Sequence, residues 1–167
     1  MIGKAMLDEF NRQINEEMFS SYLYLSIAAW FEDINMKGAA MWMRAQSDEE
    51  TMHANKFFDY ILVRGGKVEL LPIEGPKKEW TSPLDAFEAS YEHEHHISAR
   101  INTLMDLAVK EKDYAAQAFL QWFVNEQVEE EASVDEVVQK LKMVGDSKNG
   151  LFMIDRELAA RGASSHE

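Results

Sequence analysis

Apolar residues recur at three- and four-residue steps through three long stretches, 4–37, 39–64 and 84–144, that contain neither Gly nor Pro. That period is the mark of helices with one buried face. All three prolines, Pro72, Pro76 and Pro83, fall in one short segment, and Gly65, Gly66 and Gly75 lie in it or just before it. The pattern predicts an all-α chain with helices over about 4–33, 38–64, 83–110 and 114–143, a short fifth over about 148–159, and a long connection over 65–82. Ser82-Pro83-Leu84-Asp85 offers the third helix a capping hydroxyl, a proline at its first position and an early acid. Gly145 closes the fourth helix, and Ser147 or Asn149 caps the fifth.

The links after the first and third helices are only a few residues, so each pair is an antiparallel hairpin. The middle link, from Gly65 to Ser82, has 18 residues. Extended, it reaches on the order of 60 Å, whereas a helix of 27 residues is about 40 Å long. The link can therefore run the full length of the bundle and set the second and third helices parallel. The expected architecture is one domain over 1–167, a four-helix bundle with a long crossover and a short C-terminal helix.

The informative departures are polar residues on the buried faces. The first stripe reads Phe10, Ile14, Glu17, Ser21, Tyr24, Ala28, Phe31, and the second Met43, Gln46, Glu50, His53, Phe57, Ile61. The third reads Phe87, Tyr91, Glu94, Ser98, Ile101, Met105, and the fourth Phe119, Phe123, Glu126, Glu130, Val134, Val137, Leu141. Each helix thus brings an acid inward near mid-length. A shift of 77 residues maps Glu17 onto Glu94, Glu50 onto Gln127, His53 onto Glu130 and Glu49 onto Glu126, so the two hairpins carry pseudo-equivalent polar positions.

Carboxylates crowded in a dry interior repel and lose hydration unless they are protonated or paired. A cation resolves the conflict. Glu17, Glu50, Glu94 and Glu130 supply four negative charges, His53 a nitrogen and Gln127 a neutral oxygen, so two divalent ions bring the cluster near neutrality. Carboxylate-rich ligation with one imidazole suits iron or manganese, and zinc or cobalt also fits. Glu50 is the natural bridge, because His53 lies beside it at i+3.

Composition narrows the class further. The chain has 167 residues, 17 basic against 30 acidic side chains, a net charge of −13 and no Cys. At 46% hydrophobic residues it has enough apolar material for a core. The acidic balance argues against a nucleic-acid partner, and no apolar run reaches membrane-spanning length. Neither a signal peptide nor a disulfide framework is legible, and the cytoplasm is the expected compartment.

Glu17, Tyr24, DEETMHANKF with Glu49, Glu50 and His53, AFEASYEHEH with Glu94, and FLQWFVNEQVEEEASV with Glu126, Gln127, Glu129 and Glu130 together resemble the non-haem ferritins of bacteria and archaea. The resemblance spans essentially the whole chain and implies a ferritin-like bundle. It implies one iron at Glu17, Glu50 and His53, a second at Glu50, Glu94 and Glu130 with Gln127 alongside, and Tyr24 near the pair. A third, looser iron site is implied at Glu49, Glu126 and Glu129, with Glu130 shared. The implied activity is oxidation of Fe(II) by O2 or H2O2, with ferric mineral stored in a hollow shell of twenty-four subunits. Haem is not expected, since Thr51 stands where the haem-ligating Met of bacterioferritins directly follows the bridging Glu. Glu92-x-x-His95 reads as a polar surface, and the ten methionines together with Trp42 and Trp122 read as core.

Overall fold

The computed structural model describes residues 1–164; the last three positions of the expected domain, 165–167, lie outside the described residues. Five helices follow in order: α1 Lys4–Asp33, α2 Lys37–Val63, α3 Pro83–Lys110, α4 Tyr114–Val144 and α5 Lys148–Ser164. Among the described residues there is no strand, and no helix is long and apolar enough to cross a membrane. The all-α reading holds.

Local chemistry sets the helix ends. The Ser82 hydroxyl accepts from the Asp85 N–H at 3.0 Å, and the Asp85 carboxylate accepts from the Thr81 N–H at 2.8 Å, a reciprocal cap for α3. Asp113 caps α4 by accepting from Ala116 N–H at 3.0 Å, and Ser147 caps α5 through Gly150 N–H at 3.1 Å. The turns after α1 and α3 need left-handed backbone and take it at Asn35 (φ 62°) and Lys112 (φ 56°), without glycine. α2 has no capping side chain of its own. Instead its Ala39 N–H donates to the Asp155 carboxylate of α5 at 2.8 Å. Gly38 allows this approach, since a Cβ there would stand 1.8 Å from the Asp155 carbonyl oxygen.

The crossover runs alongside α1. Asn11 donates to the Lys67 carbonyl and accepts from the Glu69 N–H, Asn15 donates to the Pro72 carbonyl, and Ser26 to that of Lys77. The opposite end of the molecule is tied by Arg64, whose guanidinium donates to both Asp113 oxygens at 3.1 and 2.9 Å and to the Tyr60 hydroxyl at 2.6 Å.

Hydrocarbon fills the bundle in two separate masses. One gathers Tyr24, Phe31, Trp42, Met43, Phe87, Val134 and Leu141, and α5 adds Ile154 and Leu158. The other gathers Met6, Phe10, Ile14, Phe57, Ile61, Leu104, Leu120 and Phe123. Between them lies a belt of buried polar residues from all four long helices.

Candidate metal centre

The belt is built from mid-helix positions. Glu17 comes from α1, Glu50 and His53 from successive turns of α2, Glu94 from α3, and Gln127 and Glu130 from α4; all are buried, with Glu17, His53 and Glu94 only 1% exposed. Among the described residues, three overlapping groups can each converge on a metal ion: Glu17, Glu50 and His53; Glu50, Glu94 and Glu130; and His53, Glu126 and Glu130. Within each group the ligand atoms lie within 4.8 Å of one another. Glu50 belongs to two of the groups, which is the placement a bridging carboxylate needs. His53 turns Nδ1 toward Glu50 Oε2 at 3.2 Å and Glu17 Oε2 at 4.0 Å, and Nε2 toward Glu126 Oε1 at 3.8 Å. Its ring is held edge-on against Trp122 and Phe123 at centroid distances of 5.5 and 5.9 Å.

Neighbouring donors leave part of the site unsatisfied. The Tyr24 hydroxyl donates to Glu94 Oε1, and Gln127 Nε2 donates to Glu94 Oε2 at 3.1 Å. Gln13 Nε2 donates to Glu17 Oε1, and Gln46 Nε2 to Glu130 Oε2, both at 2.8 Å. Glu17 Oε2, Glu130 Oε1 and His53 Nε2 are buried and meet no hydrogen-bond partner. Orphaned acceptors in a dry interior cost about 1–3 kcal/mol each, and a hard cation among these oxygens relieves that cost. The donor set fits such an ion: oxygen-rich, with a single imidazole.

Electrostatics agree. Burial, more than any other cause, lifts the carboxyl groups: Glu17 above its ordinary range, Glu50 well above it, Glu94 to about 7 and Glu130 to about 9. The Glu94 carboxylate adds to the shift of Glu130, and hydrogen bonds from Tyr24 and Gln127 restrain that of Glu94. Burial and then the charge of Glu94 push the Tyr24 hydroxyl well above its usual value. Without a cation the cluster therefore holds protons that water would have removed.

The third group expected from sequence is more open. Glu126 is half-buried beside His53, while Glu49 is half-buried, Glu129 is exposed, and neither belongs to the three convergent groups. Glu126 does feel the charges of Glu129 and Glu49, so the three acids share one face. Other expectations need correction. Trp122 is not core: it is 37% exposed, with the Lys56 ammonium 4.1 Å above its ring. Of the methionines only Met6 and Met43 are buried; Met1, Met41, Met52, Met143 and Met153 are exposed. The stripe residues Ser21, Tyr91, Ser98, Met105 and Phe119 are likewise only half-buried, because a helix turns 100° per residue and the inward line drifts to Ser20, Ser90, Ile97, Leu104 and Leu120. Glu92 and His95 are exposed, and His95 pairs with Glu131 at 3.4 Å. Gln13 lies off the apolar stripe of α1, and only its place one helical turn before Glu17 hints at its bond to that carboxylate. Gln46 lay on the second stripe, but its bond to Glu130 on another helix is invisible in sequence.

A four-helix bundle with a single long crossover, carrying buried carboxylates and one histidine at its waist, has the architecture of the ferritin-like folds. Comparison with known proteins specifies the family. The ferritin-like domain model matches residues 7–144. A non-haem ferritin of Bacteroides fragilis strain 638R is 45% identical over 161 residues, covering 96% of this chain and 100% of the relative. One from Staphylococcus saprophyticus is 39% identical over 167 residues and covers both chains completely. Among solved structures, an open-pore ferritin from the hyperthermophilic archaeon Archaeoglobus fulgidus superposes with a TM-score of 0.94 at 50% identity, covering 95% of this chain and 98% of that one. The chain belongs to the ferritin family.

Proposed function

We propose that this protein oxidises and stores iron. The observation that carries the reading is the set of orphaned, inward-facing ligand atoms on Glu17, Glu130 and His53 inside a ring of four buried carboxylates. The iron ions are substrate and cargo. Glu17, Glu50 and His53 hold one Fe(II), and Glu50, Glu94 and Glu130 hold the second, with Gln127 alongside. Four carboxylates balance two divalent ions, and hard oxygen donors favour Fe(III) over Fe(II), which lowers the cost of giving up an electron. Two Fe(II) supply two electrons; O2 accepts them with two protons to give H2O2, or H2O2 accepts them with two protons to give two water molecules. Binding of the cations displaces the protons held by the raised carboxyl groups, and the two protons consumed with the electrons are drawn from solvent water. Tyr24 keeps Glu94 oriented and lies against the pair. Glu49, Glu126 and Glu129, with Glu130 shared, form a third and looser iron site on the open side of His53.

In this reading the product Fe(III) mineralises within a twenty-four-subunit cytoplasmic shell, and no haem takes part. The non-haem ferritin relatives support the storage role. The test is anaerobic loading with two Fe(II) per subunit followed by air. Rapid growth of ferric absorbance and a soluble mineral core are expected, with loss of the fast phase in Glu50→Ala and His53→Ala while the assembly stays intact. Fe(II) that persists in air, or fast oxidation unchanged in both variants, refutes the reading.

A further inference from the structure

Each terminal carboxylate of the centre meets a neutral amide. Gln127 Nε2 reaches Glu94 Oε2, Gln13 Nε2 reaches Glu17 Oε1, and Gln46 Nε2 reaches Glu130 Oε2. For Glu17 and Glu130 the oxygen left over, Oε2 and Oε1 respectively, is the orphaned one. Gln13 is fully buried and Gln46 is 1% exposed. The orientation of Gln13 is fixed from behind, because Arg100 Nε donates to its Oε1 at 3.3 Å and a guanidinium can only donate. Its nitrogen must then face Glu17. Arg100 itself is held by Glu9 at 3.2 Å.

We propose that Gln13 and Gln46 are positioning residues for the metal ligands, each clamping one oxygen of a terminal glutamate so that the other is presented to the ion; the proposal rests on the iron-binding reading above. The chemistry explains why an amide occupies these places. A glutamate has several rotatable bonds, and a carboxylate repelled by its neighbours swings away from the cluster unless something holds it. Lysine or arginine in the same place would hold it too, but would add positive charge and compete with the incoming cation. An amide orients the carboxylate, supports its anionic form and leaves the charge of the cluster unchanged.

The test uses Co(II), which binds oxygen and nitrogen ligands and reports its coordination through its visible bands, in metal-free assembled protein. Wild type is compared with Glu50→Ala, Gln13→Met and Gln46→Met. The last two replace the amide by an apolar side chain of similar length. Gln13→Asn keeps the amide but withdraws it from Glu17. The three glutamine variants are expected to bind Co(II) about 10- to 100-fold more weakly, with altered band positions and intensities, and to melt lower without metal, since each change orphans a buried carboxylate oxygen. Wild-type affinity and spectrum in these variants overturn the proposal. So does weaker binding with an unchanged spectrum, which is the signature of general loosening with the ligands in place. If Glu50→Ala binds Co(II) as wild type does, the iron-binding reading itself fails, and the proposal with it.

Discussion

Glu130 offers a direct measure of what the centre costs the fold when no metal is bound. Its carboxyl group moves from an ordinary value of 4.5 to about 9, chiefly through burial and then through the neighbouring Glu94. The native state therefore keeps a proton that the unfolded chain releases above pH 4.5, and the unfolded state is favoured progressively as pH rises between the two values. Each pH unit in that window is worth about 1.4 kcal/mol, so the penalty grows by about 4 kcal/mol per subunit from pH 5 to pH 8. The variant Glu130→Gln removes it: the amide does not titrate, and its oxygen still accepts from Gln46. Calorimetry of metal-free wild type and variant should give similar melting temperatures at pH 5. By pH 8 the variant should melt higher by roughly 8–16 °C, at about 2–4 °C per kcal/mol for a chain of this size. With saturating Zn(II) the order reverses, because binding to the native state adds RT ln(1 + [L]/Kd) and protons compete with the metal for the same oxygens. Parallel metal-free curves for the two proteins would refute the account of a buried, proton-holding carboxylate.

Three further outcomes follow from the frame around the centre. Gly38→Ala drives a methyl group into the Asp155 carbonyl at 1.8 Å, and limited proteolysis should then release α5, which the wild-type protein protects. A double-mutant cycle on Arg64 and Asp113, joined by two hydrogen bonds and only partly exposed, should return a coupling of about 1 kcal/mol in urea unfolding; additive single effects would contradict the tie. Lys112→Gly relieves a left-handed residue at φ 56° and should raise stability by about 1 kcal/mol, and a loss of stability would show that the lysine side chain contributes more than its backbone costs.

Much of the bundle is legible in the chain because helices announce themselves by what they exclude. Gly and Pro cluster where the path must cross over, and Ser82 and Ser147 stand where α3 and α5 begin. Glu17, Glu50, His53, Glu94 and Glu130 could be picked out because an ionisable group on an apolar stripe has no bland explanation when four helices repeat it. Contacts between distant residues left no such trace. Asp155 capping α2, Gln46 reaching Glu130 and Arg100 fixing Gln13 each join elements whose pairing only the fold decides. Phase errors account for the rest. A three- or four-residue step is equally consistent with neighbouring lines on a helix, so Trp122 and Phe119 seemed to point inward when only Phe123 does so fully.

The division of the hydrocarbon into two masses also decides what holds the middle of the molecule together. Each end of the bundle is fastened by its own aromatic packing, while the waist rests on buried polar side chains from all four long helices. If metal ions bind there as proposed, they draw the carboxylates of all four helices together, and backbone amides near Glu17, Glu50, Glu94 and Glu130 should exchange with solvent more slowly than in the metal-free protein. Cargo, on this view, stiffens its own container from the centre outward.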